Sequence, residues 1–309
     1  MELSRPPRCT ELMRLILAAC MAVFSLGTGG GDPPKLVATI TTGSAPCGAV
    51  AAFGSVWVAN DGGTLVRINP STNRITKRIR VGRGACSLTA GAGALWIANY
   101  KQGLIRVLPG GKVTRIMVGA APFDVLVAFK RVWVTAWEDG RLTVVNPRTL
   151  RIVRRIDIGP RPVGLIARNG AVWVGFGRSA TAIARVNPLD FRVKRVEVGI
   201  RAPGWFVTGG TEDLWIQAND GDLVHFDPID LRVVARLRVG RTLGQGAVAP
   251  GGTIWMPDKE QSVVYRIDPK RARVLDSFPA GSGAYVVLKT YGSMWVTSYA
   301  GDDVWRFSP

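Results

Sequence analysis

The chain has 309 residues, 47% of them hydrophobic and 20% charged, with 40 Lys and Arg against 22 Asp and Glu and a single His. This balance is globular, and the absence of an 18-residue apolar run downstream of residue 36 excludes a helical membrane-spanning core. The formal net charge of +18 suits attraction to nucleic acid, anionic lipid or acidic polymer, but basic residues spread over the whole length, mostly as Arg, also fit a purely compositional origin.

At the start of the chain Arg14 precedes an apolar run over 15–26, followed by Gly27-Thr28-Gly29. This order reads as a secretory signal over residues 1–29, too short to cross a bilayer. Met13 fits as an alternative initiator. Leu17-Ala18-Ala19-Cys20 resembles a lipobox, which would lipidate Cys20, so the exported form is expected to be free or lipid-anchored. Residues 30–35 read as a linker, and the localisation expected is extracytoplasmic, secreted or on the cell envelope.

Downstream, a Trp between apolar residues recurs at Trp57, Trp96, Trp133, Trp173, Trp215, Trp255 and Trp295, with gaps of 39, 37, 40, 42, 40 and 40 residues. Such a period marks a repeat architecture. In the first copy residues 47–53 are small and apolar, Gly54-Ser55 turns, and 56–60 is β-branched and aromatic. Asp61-Gly62-Gly63 turns again, 64–68 alternates, Asn69 to Asn73 is turn-forming, and 75–81 alternates before Gly82. Four antiparallel strands in about 40 residues make a propeller blade.

The later copies repeat this punctuation. Asn69-Pro70, Leu108-Pro109, Asn146-Pro147, Asn187-Pro188, Asp227-Pro228 and Asp268-Pro269 stand before the last strand, where a residue without an N–H is tolerated. The final copy stops at Pro309 before its fourth strand, and residues 36–41 match a fourth strand that has no Trp strand of its own. The expectation is an all-β, seven-bladed propeller over 36–309, closed by an N-terminal strand that completes the last blade. The repeated Trp residues are expected in the wedges between blades.

Trp57-Val58-Ala59-Asn60, Trp96-Ile97-Ala98-Asn99 and Trp133-Val134-Thr135, each followed by a Gly-bearing turn, resemble the bacterial YVTN-type and streptogramin-lyase-like (virginiamycin B lyase-like) propeller repeats. The resemblance implies the fold. Its lyase branch implies elimination that opens a cyclic lactone, with a catalytic His, an acidic partner and Mg²⁺ at one face of the ring. The only His here, His225, would take that role with Glu138 or Asp220. It lies ten residues after Trp215, a slot held by Arg67 and Arg106 in their blades, which reads as a structural or surface position, solvated or between blades.

A propeller places the outer-to-inner connections on one face with the turns between second and third strands. The first set carries Arg83, Arg161, Arg201 and Arg241, and the second is rich in acids such as Asp61, Glu138, Asp139, Asp220, Asp258 and Glu260. An Arg-bearing inner zone inside an acidic outer zone could hold an anionic ligand, or be scattered solvated charge. Ten residues before each Trp come Cys47, Cys86, Phe123, Val163, Trp205, Gln245 and Tyr285, which ring the start of the inner strands. Phe123, Trp205, Tyr285 and the loop residue Trp137 are the candidate pocket aromatics, with packing between blades as the alternative. Trp137 is expected to be exposed.

Cys47 and Cys86 occupy matching positions in consecutive blades, and export invites a disulfide. Against it, matching positions face the same way around the ring, so the question stays open at this stage. The outer strands carry Arg74, Arg78, Arg154, Arg155, Arg195 and Arg236 among other basic residues, yet almost none of the aromatics on which single-stranded nucleic acid stacks. No metal-ligand spacing, Gly-x-Ser-x-Gly elbow or phosphate loop occurs.

The function expected is binding of a protein or small ligand, without catalysis, at the loop face of the channel. The alternatives are a Mg²⁺-dependent lyase, the one case in which a cofactor is expected, and binding of single-stranded nucleic acid or anionic polymer. A monomer is expected.

Overall fold

The computed structural model describes residues 34–309 except 179, 211, 212 and 219. The signal, the lipobox, Met13, Cys9, Cys20 and most of the linker lie outside the described residues. No helix among the described residues is long and apolar enough to cross a membrane.

Seven four-stranded antiparallel sheets form the ring of a β-propeller. After β1 (Lys35–Thr41), blade 1 runs from the axis outward as β2 (Pro46–Ala52), β3 (Ser55–Asn60), β4 (Thr64–Asn69) and β5 (Arg74–Arg80). Blades 2 to 6 repeat the order, with inner strands beginning at Ala85, Pro122, Pro162, Pro203 and Ala247. Blade 7 contributes Ala284–Thr290, Ser293–Ser298 and Asp303–Ser308, and β1 completes it by pairing antiparallel with the last of these, Lys35 opposite Ser308 and Thr41 opposite Asp303. The two chain ends thus share one sheet, which leaves no open seam.

Each repeated Trp crosses from its own blade into the next. Trp57 packs with Leu88, Leu95 and Ile97 of blade 2, Trp173 with Phe206 and Leu214 of blade 5, and Trp295 with Val56, Val58 and Val66 of blade 1. All but Trp215 have relative exposures of 2% or less. Five of the seven indole N–H groups, those of Trp57, Trp96, Trp133, Trp173 and Trp295, donate to a backbone carbonyl five residues earlier, Trp57 Nε1 to Ala52 O at 3.1 Å and Trp133 Nε1 to Ala128 O at 3.1 Å among them, the usual way of pairing a buried indole.

Two outer-strand Arg residues work as clasps. Arg78 donates to the Thr42 carbonyl and Arg195 Nη2 to Ile158 O at 2.7 Å, in each case reaching the outer-strand end of the preceding blade. The guanidinium of Arg236 comes near Gly199, past the outer-strand end of the preceding blade. Part of the basic charge therefore has a structural use, because a charged donor on an otherwise unpaired carbonyl makes a strong hydrogen bond.

One blade departs from the expected pattern. The inner strand of blade 6 is only Ala247–Val248, because the segment before it pairs sideways. Gln245 N–H donates to Tyr285 O at 2.8 Å, Val287 N–H to Gln245 O at 2.9 Å, and Thr208 N–H to Gly246 O at 3.0 Å. Blades 5, 6 and 7 are thereby stitched together at the axis. Gly244 permits this, since a Cβ there would lie 1.9 Å from Tyr285 O.

Candidate functional site at the channel mouth

Strand register places two rings of side chains on the loop face. The first stands ten residues before each Trp, as expected. The second stands four residues after it, at the start of each turn between second and third strands: Asp61, Tyr100, Trp137, Gly177, Lys259 and Tyr299 among the described residues. The two rings meet. Phe123 stacks on Trp137 with centroids 5.2 Å apart and touches Trp205 at 5.7 Å, and Tyr285 meets Tyr299 edge-on at 5.8 Å.

Trp137 is half-buried rather than exposed. Gly177 makes room for it, because a Cβ at that position would come within 2.7 Å of the indole. Trp205 is buried, at 8% exposure, and packs on Phe123 while also lining the channel, so both expected roles fall on one side chain.

Between the rings lies a cavity of about 170 Å³, lined by Asp61, Tyr100, Pro122, Phe123, Lys259, Tyr285 and Tyr299 with Cys47 and Cys86. The Asp61 carboxylate accepts from Tyr100 OH at 2.9 Å and from Tyr299 OH at 2.9 Å. Lys259 Nζ stands over Tyr299, 4.1 Å from the centroid, and 5.3 Å from that of Tyr285. Burial draws the Lys259 ammonium below the usual lysine range, against the pull of Asp61. Burial raises Tyr299 to about 12, with the Asp61 hydrogen bond and charge adding to it.

A second cavity of about 230 Å³ continues down the axis, walled by Val50, Leu88, Val125, Leu165, Ile166 and Val287. The neck between the two is made by Cys47, Cys86 and Tyr285, which line both. Cys47 and Cys86 form a disulfide there, with Cα atoms 4.8 Å apart. Neighbouring inner strands converge towards the axis, and Gly48 lets them close up, since a Cβ on it would lie 2.3 Å from Cys86 O. Matching positions therefore come within bridging distance.

The lower cavity holds one buried carboxylate. Asp124, 5% exposed, accepts from Ser87 Oγ of blade 2, from its neighbour Val125 N–H at 2.8 Å and from Leu165 N–H of blade 4 at 2.6 Å. Burial raises its pKa to about 6, the three hydrogen bonds opposing. The Tyr285 hydroxyl rises to about 12, through burial and then the charge of Asp124.

The four expected Arg residues sit on the rim and do not converge. Arg161 packs on Trp137 at 5.7 Å, Arg241 pairs with Glu260 at 3.0 Å, and Arg83 and Arg201 are exposed. None lines the cavity between Asp61 and Lys259. Glu138 is exposed beside a shallow cleft with Asp139, Asp157 and Arg161.

His225 is elsewhere. Its Nε2 meets Asp213 Oδ2 at 2.8 Å and its ring lies flat on Trp215. That is the place of Arg67 over Trp57, Arg106 over Trp96, Arg185 over Trp173 and Arg306 over Trp295. Register pairs it with the second residue of its neighbouring strand, away from the turn that carries Asp220. Neither Glu138 nor Asp220 joins it. No group of three or more His, Cys, Asp or Glu with a metal-holding arrangement occurs among the described residues.

Sequence reasoning missed Lys259, Tyr299, Tyr100 and Asp124. For the first three the signal was present, as the fourth residue after each repeated Trp.

No protein-family model matches the chain, and no curated protein matches it in sequence. Solved structures share its fold. A catalytically inactive virginiamycin B lyase from Staphylococcus aureus with quinupristin aligns with TM-score 0.76 at 13% identity, covering 90% of this chain and 98% of that one. A streptogramin B lyase aligns with TM-score 0.74 at 13% identity, covering 89% and 96%. The WD40 β-propeller domain of Doa1 aligns with TM-score 0.75 at 12% identity, covering 89% and 97%. At these identities the likeness is one of fold.

Proposed function

We propose that the chain is an exported, non-enzymatic β-propeller that binds a small ligand at the mouth of its central channel. One observation carries this reading: Phe123, Trp137, Trp205, Tyr285 and Tyr299, from blades 3, 5 and 7, gather over an axial cavity that also holds one acid and one amine. Concave, mostly apolar sites with a few convergent polar groups are where small molecules bind. Rim cations such as Arg83, Arg161 and Arg201 would raise the encounter rate of anionic groups.

The test is a thermal-shift and native mass spectrometry screen of small cyclic and aromatic compounds against wild type, Trp137→Ala and Phe123→Ala. Ligands lost in both variants are expected. Ligands indifferent to both variants would contradict the mouth as the site.

The lyase alternative would need His225 to work with Glu138 or Asp220 and Mg²⁺, and the contact of His225 with Asp213 and Trp215 does not favour it. Nucleic-acid binding on the perimeter is weakened by the clasp role of Arg78 and Arg195.

A further inference from the structure

Lys259 and Asp61 carry opposite charges and line one cavity, yet they do not form an ion pair. Tyr299 keeps them apart, with its ring beneath the Lys259 ammonium and its hydroxyl on Asp61. The ammonium has three donors and no hydrogen-bond or carboxylate partner within ion-pair distance among the described residues. Aromatic faces offset only part of its desolvation. Each Asp61 oxygen accepts one tyrosine hydroxyl and keeps room for another donor. The cavity thus presents a cation and an anion, both held in place and both able to bind more, across a gap wider than an ion pair.

We propose that this cavity binds a small zwitterion, an α-amino acid with an apolar or aromatic side chain. The ligand carboxylate accepts from Lys259, its ammonium donates to Asp61 against the tyrosine faces, and its side chain packs on Phe123 and Pro122. A singly charged ligand would satisfy one of the two groups and be repelled by the other, whereas a zwitterion satisfies both. The protein bears the cost of holding the charges apart before binding, which is preorganisation. This proposal rests on the channel-mouth reading.

The experiment titrates the full chain with L-phenylalanine, 3-phenylpropanoate and phenethylamine, following tryptophan fluorescence and heat. L-phenylalanine is expected to bind about tenfold more tightly than either analogue. Lys259→Met should bring it down to the level of phenethylamine, and Asp61→Asn to that of 3-phenylpropanoate. Lys259→Arg, which keeps the charge, should retain most of the preference and guards against misreading a folding defect.

Equal or tighter binding of 3-phenylpropanoate would overturn the zwitterion and leave the mouth as an anion site. Silence towards all three probes, while larger cyclic compounds still bind in a Trp137-dependent way, would overturn the zwitterion alone. Binding that ignores Trp137→Ala, Lys259→Met and Asp61→Asn alike would overturn both readings.

Discussion

His225 lies flat on Trp215, ring centroids 4.5 Å apart and planes 5° from parallel, where four other blades stand an Arg over the Trp. The position serves to cover the indole and, through Asp213, to tie the third strand to the loop before the second. His225→Arg should therefore leave the melt nearly unchanged. His225→Ala should lower stability by about 1 kcal/mol, the size of an aromatic pair. Thermal denaturation checks both, and loss of ligand binding in His225→Ala at an unchanged melt would instead make His225 a site residue.

Asp124 predicts an unusual pH dependence. Its pKa is raised from 3.8 to about 6 in the folded chain, so between those values the folded state binds more protons than the unfolded one. Stability from this group then rises as pH falls through 6 and is fully present only below the unfolded value of 3.8, a gain of about 3 kcal/mol. Asp227 and Asp268, whose carboxyls are held below the usual range, lose stability only below about pH 4. Chemical denaturation at pH 7, 5.5 and 4.5 should show rising stability, and Asp124→Asn should flatten that rise. A monotonic fall in wild type would contradict the assignment.

The closing strand is a clear target. Removing residues 35–41 strips the outer edge from Asp303–Ser308 and takes away the Thr41 carbonyl that Arg78 reaches. The deletion should broaden and lower the melt, because blade 7 then has an exposed edge. A cooperative transition identical to wild type would show that the ring holds without it.

The Cys47–Cys86 bridge closes a loop over a sequence separation of 39. Changing both residues to Ala should cost about 4 kcal/mol by loop-closure entropy and loosen the neck between the two cavities. A free-thiol count on the air-purified, unfolded chain checks the bridge directly. Reactive thiols at both positions would show it open.

Two neighbouring tryptophans should part company. Trp133, at 0% exposure in the wedge between blades 3 and 4, should lose about 3–5 kcal/mol on change to Ala. Trp137, half-buried on the mouth, should lose far less stability on the same change while weakening ligand binding. The reverse pattern would exchange their roles.

The chain's repeat period, its Pro-bearing turns and its displaced fourth strand determine seven blades and their closure, because strand alternation and turn chemistry are local. Even the two mouth rings can be read as fixed offsets from Trp57 and its six counterparts. What no offset contains is which members of a ring touch. Tyr299 reaches Asp61 across a sequence separation of 238, Gln245 leaves its own blade to pair with Tyr285, and Asp124 draws on blades 2 and 4. Those meetings depend on how closely seven tilted sheets pack around one axis. That distance is set by the wedge-filling tryptophans and by glycines such as Gly48 and Gly244 that let backbones touch, so only the closed ring decides it.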